Sequence, residues 1–376
     1  AAEWDGRSEP FADGFGICSP TRWRPSARGW SLPSDARKLA KDLQGILLAA
    51  LRSEFGDLRR EAFRLATGNM KVSPFKPVLL TRLRNAWAKL LGGDPQLLEV
   101  PDRQPFLLYA LAETARRFGD PDFHIVADAE ESFASGVPIG YDLPIPPCPA
   151  VFRPKTRGKK LDESEFEPLR DNYQTAELSA DALREKFREE EGLGRMFPST
   201  LAKLEQQYGR ERLRVASMGA IMKPDGSARP LHDGTHGVQV NNAISIADRL
   251  ELPGPREISA VTRYAADSNE AVFGVCADIK AAHRLVRIRE KDWPLLCCKA
   301  SNTDHVVWVN CNGTFGISSA SYWWSRLFGV VGRVVGTILL TSPFYHLVFV
   351  DDLHGMFMGP SKFELFWLWV LMYELL

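Results

Sequence analysis

Residues 347–354, LVFVDDLH, constrain this chain more than any other stretch. A run of apolar and β-branched side chains reads as a buried strand, and two adjacent carboxylates, Asp351 and Asp352, stand at its end. Leu353, His354 and Gly355 then read as the turn of a hairpin. Two negative charges at the tip of a core strand are costly unless something positive offsets them. A divalent cation would do so, since Mg²⁺ takes a few carboxylates together with phosphate oxygens. A surface hairpin with Asp-Asp in its turn is the plainer reading of these residues alone.

A third carboxylate has a matching context. Residues 272–279, VFGVCADI, form another short apolar strand with Asp278 near its carboxyl end. Two strands delivering carboxylates to one end of a sheet can hold a pair of metal ions, the arrangement that serves in-line phosphoryl transfer. A lone Asp at a strand end is more often a turn former.

Four segments then resemble, in order, the motifs of reverse transcriptases from long-terminal-repeat and tyrosine-recombinase retroelements. KPDGSARPLHD (223–233), followed by Asn241-Asn242, is similar to their fingers hairpin. DIKAAHRLVRIREKDW (278–293) resembles the first palm motif, and TFGISSAS (314–321) the Phe-Gly motif that opens a long helix. FVDDLHG (349–355) looks like the family's Tyr-x-Asp-Asp hairpin. The set spans about residues 211–376.

The resemblance implies an α+β right-hand polymerase: palm and fingers behind an N-terminal helical domain, with the thumb absent. It implies RNA-directed DNA synthesis with two Mg²⁺ ions (or Mn²⁺), a primed RNA or DNA template and dNTP. Asp278, Asp351 and Asp352 would be catalytic carboxylates and metal ligands, with the Ile279 carbonyl assisting. Lys223 and Arg229 would grip the triphosphate, and Phe315-Gly316 would support the sugar and the templating pair. His283 stands where the family has the aromatic residue that screens the sugar. It also departs from the second acid that RNA-templated RNA polymerases carry there. Ser321 replaces a Pro and Phe349 a Tyr; no metal ligand is lost. A catalytically silent, nucleic-acid-binding relative and an RNA-templated RNA polymerase remain the alternatives.

Turn chemistry supports the fingers hairpin independently. Pro224-Asp225-Gly226 lies between two extended runs, with Pro and Gly where a β-turn favours them. An ordinary exposed hairpin would also present Lys and Arg this way.

The 376 residues, 45% hydrophobic and 25% charged, fit a globular chain of two or three domains. Net charge is zero, which gives no general attraction for nucleic acid. RPKTRGKK (153–160) is locally basic, either a solvated linker or a phosphate contact. The six cysteines show no metal or disulfide spacing and read as reduced thiols of an intracellular protein, cytoplasmic or nuclear. His232 and His236 lack the cysteine partners of a zinc site.

Residues 327–350 read as a buried helix to about Leu340, a break at Ser342-Pro343 and then the carboxylate strand, rather than as a membrane span. FELFWLWVLMYELL (363–376) is apolar all round, a helix made to be covered. Nothing resembling a thumb, RNase H, integrase or recombinase follows it, so further domains of a polyprotein are expected beyond both ends.

Residues 1–137 read as helical and of unknown role, 138–177 as a Pro-rich and basic linker, and 178–376 as fingers and palm. Helices are expected over 34–66, from Ser73 to Gly92, Asp102 to Arg117, Phe123 to Ser135, and over 179–191 and 198–208.

Overall fold

The computed structural model describes residues 17–18, 34–148, 153–155, 158–249, 252–267, 269, 271–339 and 344–376. Parts of RPKTRGKK and the Ser342-Pro343 break lie outside them. The architecture is α+β, with long helices around several small sheets.

After strand β1 (Ile17–Cys18) come helices α1 (Ser34–Glu54), α2 (Leu58–Ala66), α3 (Pro77–Leu90), α4 (Leu108–Arg117) and the single turn α5 (Phe123–Val126). The helix expected over 34–66 is therefore two. Gly56 interrupts it, and Asp57 restarts the chain by accepting from the Arg60 amide as an N-cap. Pro77 opens α3 at the one place where its missing N–H costs nothing. The helix expected from Phe123 stops at Val126, and beyond it the Ser132 and Ser135 hydroxyls take up local backbone groups in turns.

Strand β2 (Arg153–Pro154) precedes α6 (Gln174–Glu177), α7 (Ala180–Gly192), β3 (Met196–Thr200) and α8 (Leu201–Tyr208). Short β4 (Val215–Ala216) leads to the hairpin of β5 (Met218–Met222) and β6 (Ala228–His232), then α9 (Val240–Ala243), β7 (Asp248–Arg249) and α10 (Pro255–Asp267). The chain continues with β8 (Phe273–Asp278), β9 (Cys297–Cys298), β10 (Val306–Asn310), α11 (Ala320–Ile338), β11 (Phe344–Phe349), β12 (Asp352–Phe357) and α12 (Lys362–Leu375). One four-stranded sheet runs β1-β11-β12-β8 and another β3-β10-β9-β4.

The Pro-rich stretch lies against the body: the Ile139 amide donates to the Asp292 carboxylate and the Ile145 amide to the Ser245 carbonyl. Helix α12 is strongly apolar, with charges only near its ends (Lys362, Glu364, Glu374), and most of it is buried where α1, α2, α3 and β12 pack against it. Trp367 stacks on Phe55 at 4.7 Å and donates its indole N–H to the Leu58 carbonyl. Helix α11 is buried along its length, including two arginines. Arg326 and Arg333 form ion pairs with Asp122 and Asp120 at 2.8 and 2.6 Å, fastening the helix to the segment before α5. No helix among the described residues is long and apolar enough to cross a membrane.

Candidate active site

Strand pairing brings the three sequence-selected aspartates to one place. β8 and β12 are antiparallel neighbours in which Asp278 lies directly opposite Asp352. Opposed residues of an antiparallel pair project to the same face with Cβ atoms about 5 Å apart. Asp351 sits in the connecting turn, and its carbonyl accepts from the Ile279 amide at 2.9 Å, which ties that turn to the end of β8. Among the described residues, none of the three carboxylates has an ion-pair or side-chain hydrogen-bond partner.

The hairpin turn differs from its expected position. Phe349 pairs with Asp352, so the turn is Val350-Asp351, and Leu353-His354-Gly355 belongs to the returning strand. A two-residue loop needs a left-handed residue, and here Val350 supplies it at φ +58°. A β-branched residue is poorly suited to that region, and such strain costs on the order of 1–3 kcal/mol. The Trp324 indole, from α11, holds the turn by donating to the Val350 carbonyl at 2.8 Å.

A second group faces this tip. His283 occupies a single 3₁₀ turn (Ala282–Leu285) just after β8, entered through Ala281 in the left-handed region. Its ring stacks toward Phe315, centroids 6.2 Å apart, and the Arg229 guanidinium lies 4.7 Å over that same ring. Burial pushes the His283 imidazole below its ordinary value, Asp351 pulls it up and Arg229 pushes it further down. The ring is therefore neutral near pH 7, and its Nε2 is buried without a hydrogen-bond partner. The Arg284 side chain anchors this turn through Glu190, Asn310 and the Gly313 carbonyl. Lys223 stands exposed at the tip of the β5–β6 hairpin, and no contact joins its side chain to the others.

Gly316, at φ +105°, is obligatory: a Cβ there would stand 1.7 Å from the His232 carbonyl oxygen. Its own carbonyl accepts from Asn241 Nδ2 at 2.7 Å, while Asn241 Oδ1 receives the Ser318 amide. Asn241, on α9, also bonds Thr235 and Gly234, and so joins the segment after the β5–β6 hairpin to the Phe-Gly turn. Asn241 had only its place in the motif order to mark it, and Trp324 had no sequence signal at all. Asp233 accepts from the amides of Thr235 and His236 and from the Tyr173 hydroxyl. Burial and that Asp233 contact push the Tyr173 phenol up to about 12.

Three carboxylates without a protein cation are a donor set suited to Mg²⁺ that shares its shell with substrate phosphates and water. As placed, however, they form no such group: among the described residues no three His, Cys, Asp or Glu side chains are disposed to hold a metal ion.

No family profile and no curated protein matches this chain. Among solved structures it is similar to a foamy viral protease–reverse transcriptase (dRH) in complex with double-stranded DNA, at 11% identity and a TM-score of 0.39. The match covers 60% of this chain, which spans about a third (34%) of the other. Likeness at that level carries no argument about function.

Proposed function

We propose that this chain is the fingers and palm of an RNA-directed DNA polymerase, extending a primer on a nucleic-acid template with dNTP. The observation that carries the reading is the pairing of Asp278 with Asp352 beside Asp351, three carboxylates without an ion-pair partner, with His283 within electrostatic reach of Asp351. The motif order of the sequence supports it independently.

In this reading Asp278, Asp351, Asp352 and the Ile279 carbonyl would hold two Mg²⁺ or Mn²⁺ ions. Such ions, when bound, make a hydroxyl nucleophilic and neutralise charge on a leaving pyrophosphate. The protein's own contribution is positioning. Arg229, planar and fixed over Phe315, presents a fork of donors to phosphate, while Lys223 supplies a mobile point charge from the hairpin tip. Phe315 and the tightly packed Gly316 form the floor for the sugar and base pair. His283, its ring lying alongside Phe315, would bound the sugar pocket on one side. The primer 3′-hydroxyl attacks the α-phosphate in line, and pyrophosphate departs.

Primer extension with dNTP and Mg²⁺ tests this directly. Asp351→Asn is expected to abolish extension while leaving the unfolding midpoint unchanged; extension retained by this variant would refute the assignment. The open carboxylate arrangement favours one second reading, a polymerase-like domain that binds nucleic acid without catalysis. Wild-type chain that binds a primed template but never extends it, even with Mn²⁺, would establish that alternative.

A further inference from the structure

The zero net charge of the whole chain hides a strong local bias. Between Ser34 and Leu91 there are twelve Lys and Arg against five Asp and Glu, a net charge of +7; the rest of the chain, with 35 basic and 42 acidic residues, carries −7. Helices α1, α2 and α3 turn their apolar sides to α12, so these cations point outward. Eleven of the twelve are exposed, Arg84 alone being half-buried with its guanidinium on the carbonyls of Glu374 and Leu375. Four of the eleven have a carboxylate partner: Arg52 with Glu364, Arg60 and Arg64 with Glu61, and Lys76 with Glu54. The other seven have none among the described residues.

Helix α2 concentrates this character. Arg59, Arg60, Phe63, Arg64 and Thr67 share one side of the helix and line one open depression with Asp57. Phe63 is 46% exposed in the middle of the arginines. Its ring packs at a steep angle on that of Phe273, centroids 5.4 Å apart; Phe273 is the first residue of β8, the strand whose other end is Asp278. Five residue steps put the two ends of β8 roughly 17 Å apart. Duplex rises about 3.4 Å per base pair, so a duplex ending at the carboxylates and running along β8 reaches α2 within about five pairs.

We propose that the outer face of α2 binds the phosphate backbone of the template–primer duplex behind the catalytic end. This rests on the polymerase reading for its choice of partner. A duplex backbone needs closely spaced cations without a sequence-reading geometry, and an exposed ring among arginines suits sugar and base edges near a frayed strand. An anionic membrane surface would instead want an apolar outward face, and α2 has its apolar side in the core.

The test is fluorescence anisotropy of a labelled RNA–DNA hybrid with the 376-residue chain across a NaCl series. R59E/R60E/R64E is expected to weaken binding at least tenfold and to flatten the log–log salt slope by about 0.9 per lost phosphate contact. R59E alone, where no carboxylate partner is lost, keeps the test decisive should the triple variant misfold; it is expected to flatten the slope in the same direction by about one contact. Folded charge-reversal variants with an unchanged salt slope would overturn the proposal. So would variants that keep hybrid binding and lose only their attachment to phosphatidylserine vesicles. Slope loss in a chain that never extends a primer would sink the polymerase reading and leave this surface standing; extension with no slope change would do the reverse.

Discussion

Asp120 and Asp122 are buried against Arg333 and Arg326, whereas Asp278, Asp351 and Asp352 stand at a sheet end with no cation beside them. Helix α11 reaches both groups: its arginines hold the first pair, and its Trp324 holds the turn that carries Asp351. Burial by itself would push the Asp122 carboxyl up, yet Arg326, aided by Arg333 and the Cys148 thiol, holds it below the ordinary carboxylate value. Carboxylates that serve architecture bring their own counter-charge. Those at the tip have none, and Asp278 and Asp352 are exposed to solvent.

The largest expected effect separates these two groups by stability. Arg326→Met leaves buried Asp122 with only the more distant Arg333, 3.8 Å away, and should cost about 3–5 kcal/mol in chemical denaturation. Asp352→Asn should be neutral or slightly stabilising without metal, because it relieves like-charge repulsion. If the tip variant destabilises as much as the clamp variant, the distinction between the two groups collapses.

Acid sharpens the contrast next. His232 and His346 are buried, and burial pushes them down to about 4 and about 3. The unfolded chain binds protons that the native state refuses. Their contribution is complete above the unfolded value near 6.5 and is lost as pH falls toward the native values. Each should remove about 1.4 kcal/mol per pH unit over that range. His346→Leu should flatten the fall of melting temperature between neutral and mildly acidic pH, whatever its effect on absolute stability; an unaltered slope would contradict this.

A smaller effect tests the strained turn. Val350→Gly removes a β-branched residue from the left-handed region and should leave stability unchanged or raise it by up to about 1 kcal/mol. It should also loosen the placement of Asp351, seen as a higher KM for dNTP. Smaller still, Cys276 is exposed beside His354, whereas Cys148, Cys297, Cys298 and Cys311 are buried. Mass spectrometry after brief native alkylation should find Cys276 modified first among these five, and a bound hybrid should slow that reaction.

Much of the tip was legible because local chemistry carried it. Apolar runs ending in Asp announced β8 and β11, and Pro224 with Gly226 announced the β5–β6 turn. Sequence pattern alone puts the DD turn three residues late because Val350 is a residue that a two-residue loop ordinarily refuses; tertiary contacts from Trp324 and Ile279 override that preference. The break at Gly56 was hidden by continuous apolar periodicity on both sides. The roles of Asn241 and Trp324 rest on partners 75 and 26 positions away, a separation that no local pattern encodes. The arginine clamp was illegible for the same reason, since Asp122 and Arg326 lie 204 positions apart. The basic layer escaped notice because it balances to zero over the whole chain.

Mn²⁺ binding followed by electron paramagnetic resonance, with and without dNTP, tests the three aspartates most directly. The wild-type chain should take up Mn²⁺ more tightly when dNTP is present, and Asp278→Asn should lose that uptake while remaining folded. Equal Mn²⁺ retention by wild type and Asp278→Asn would contradict the idea that these carboxylates await a metal.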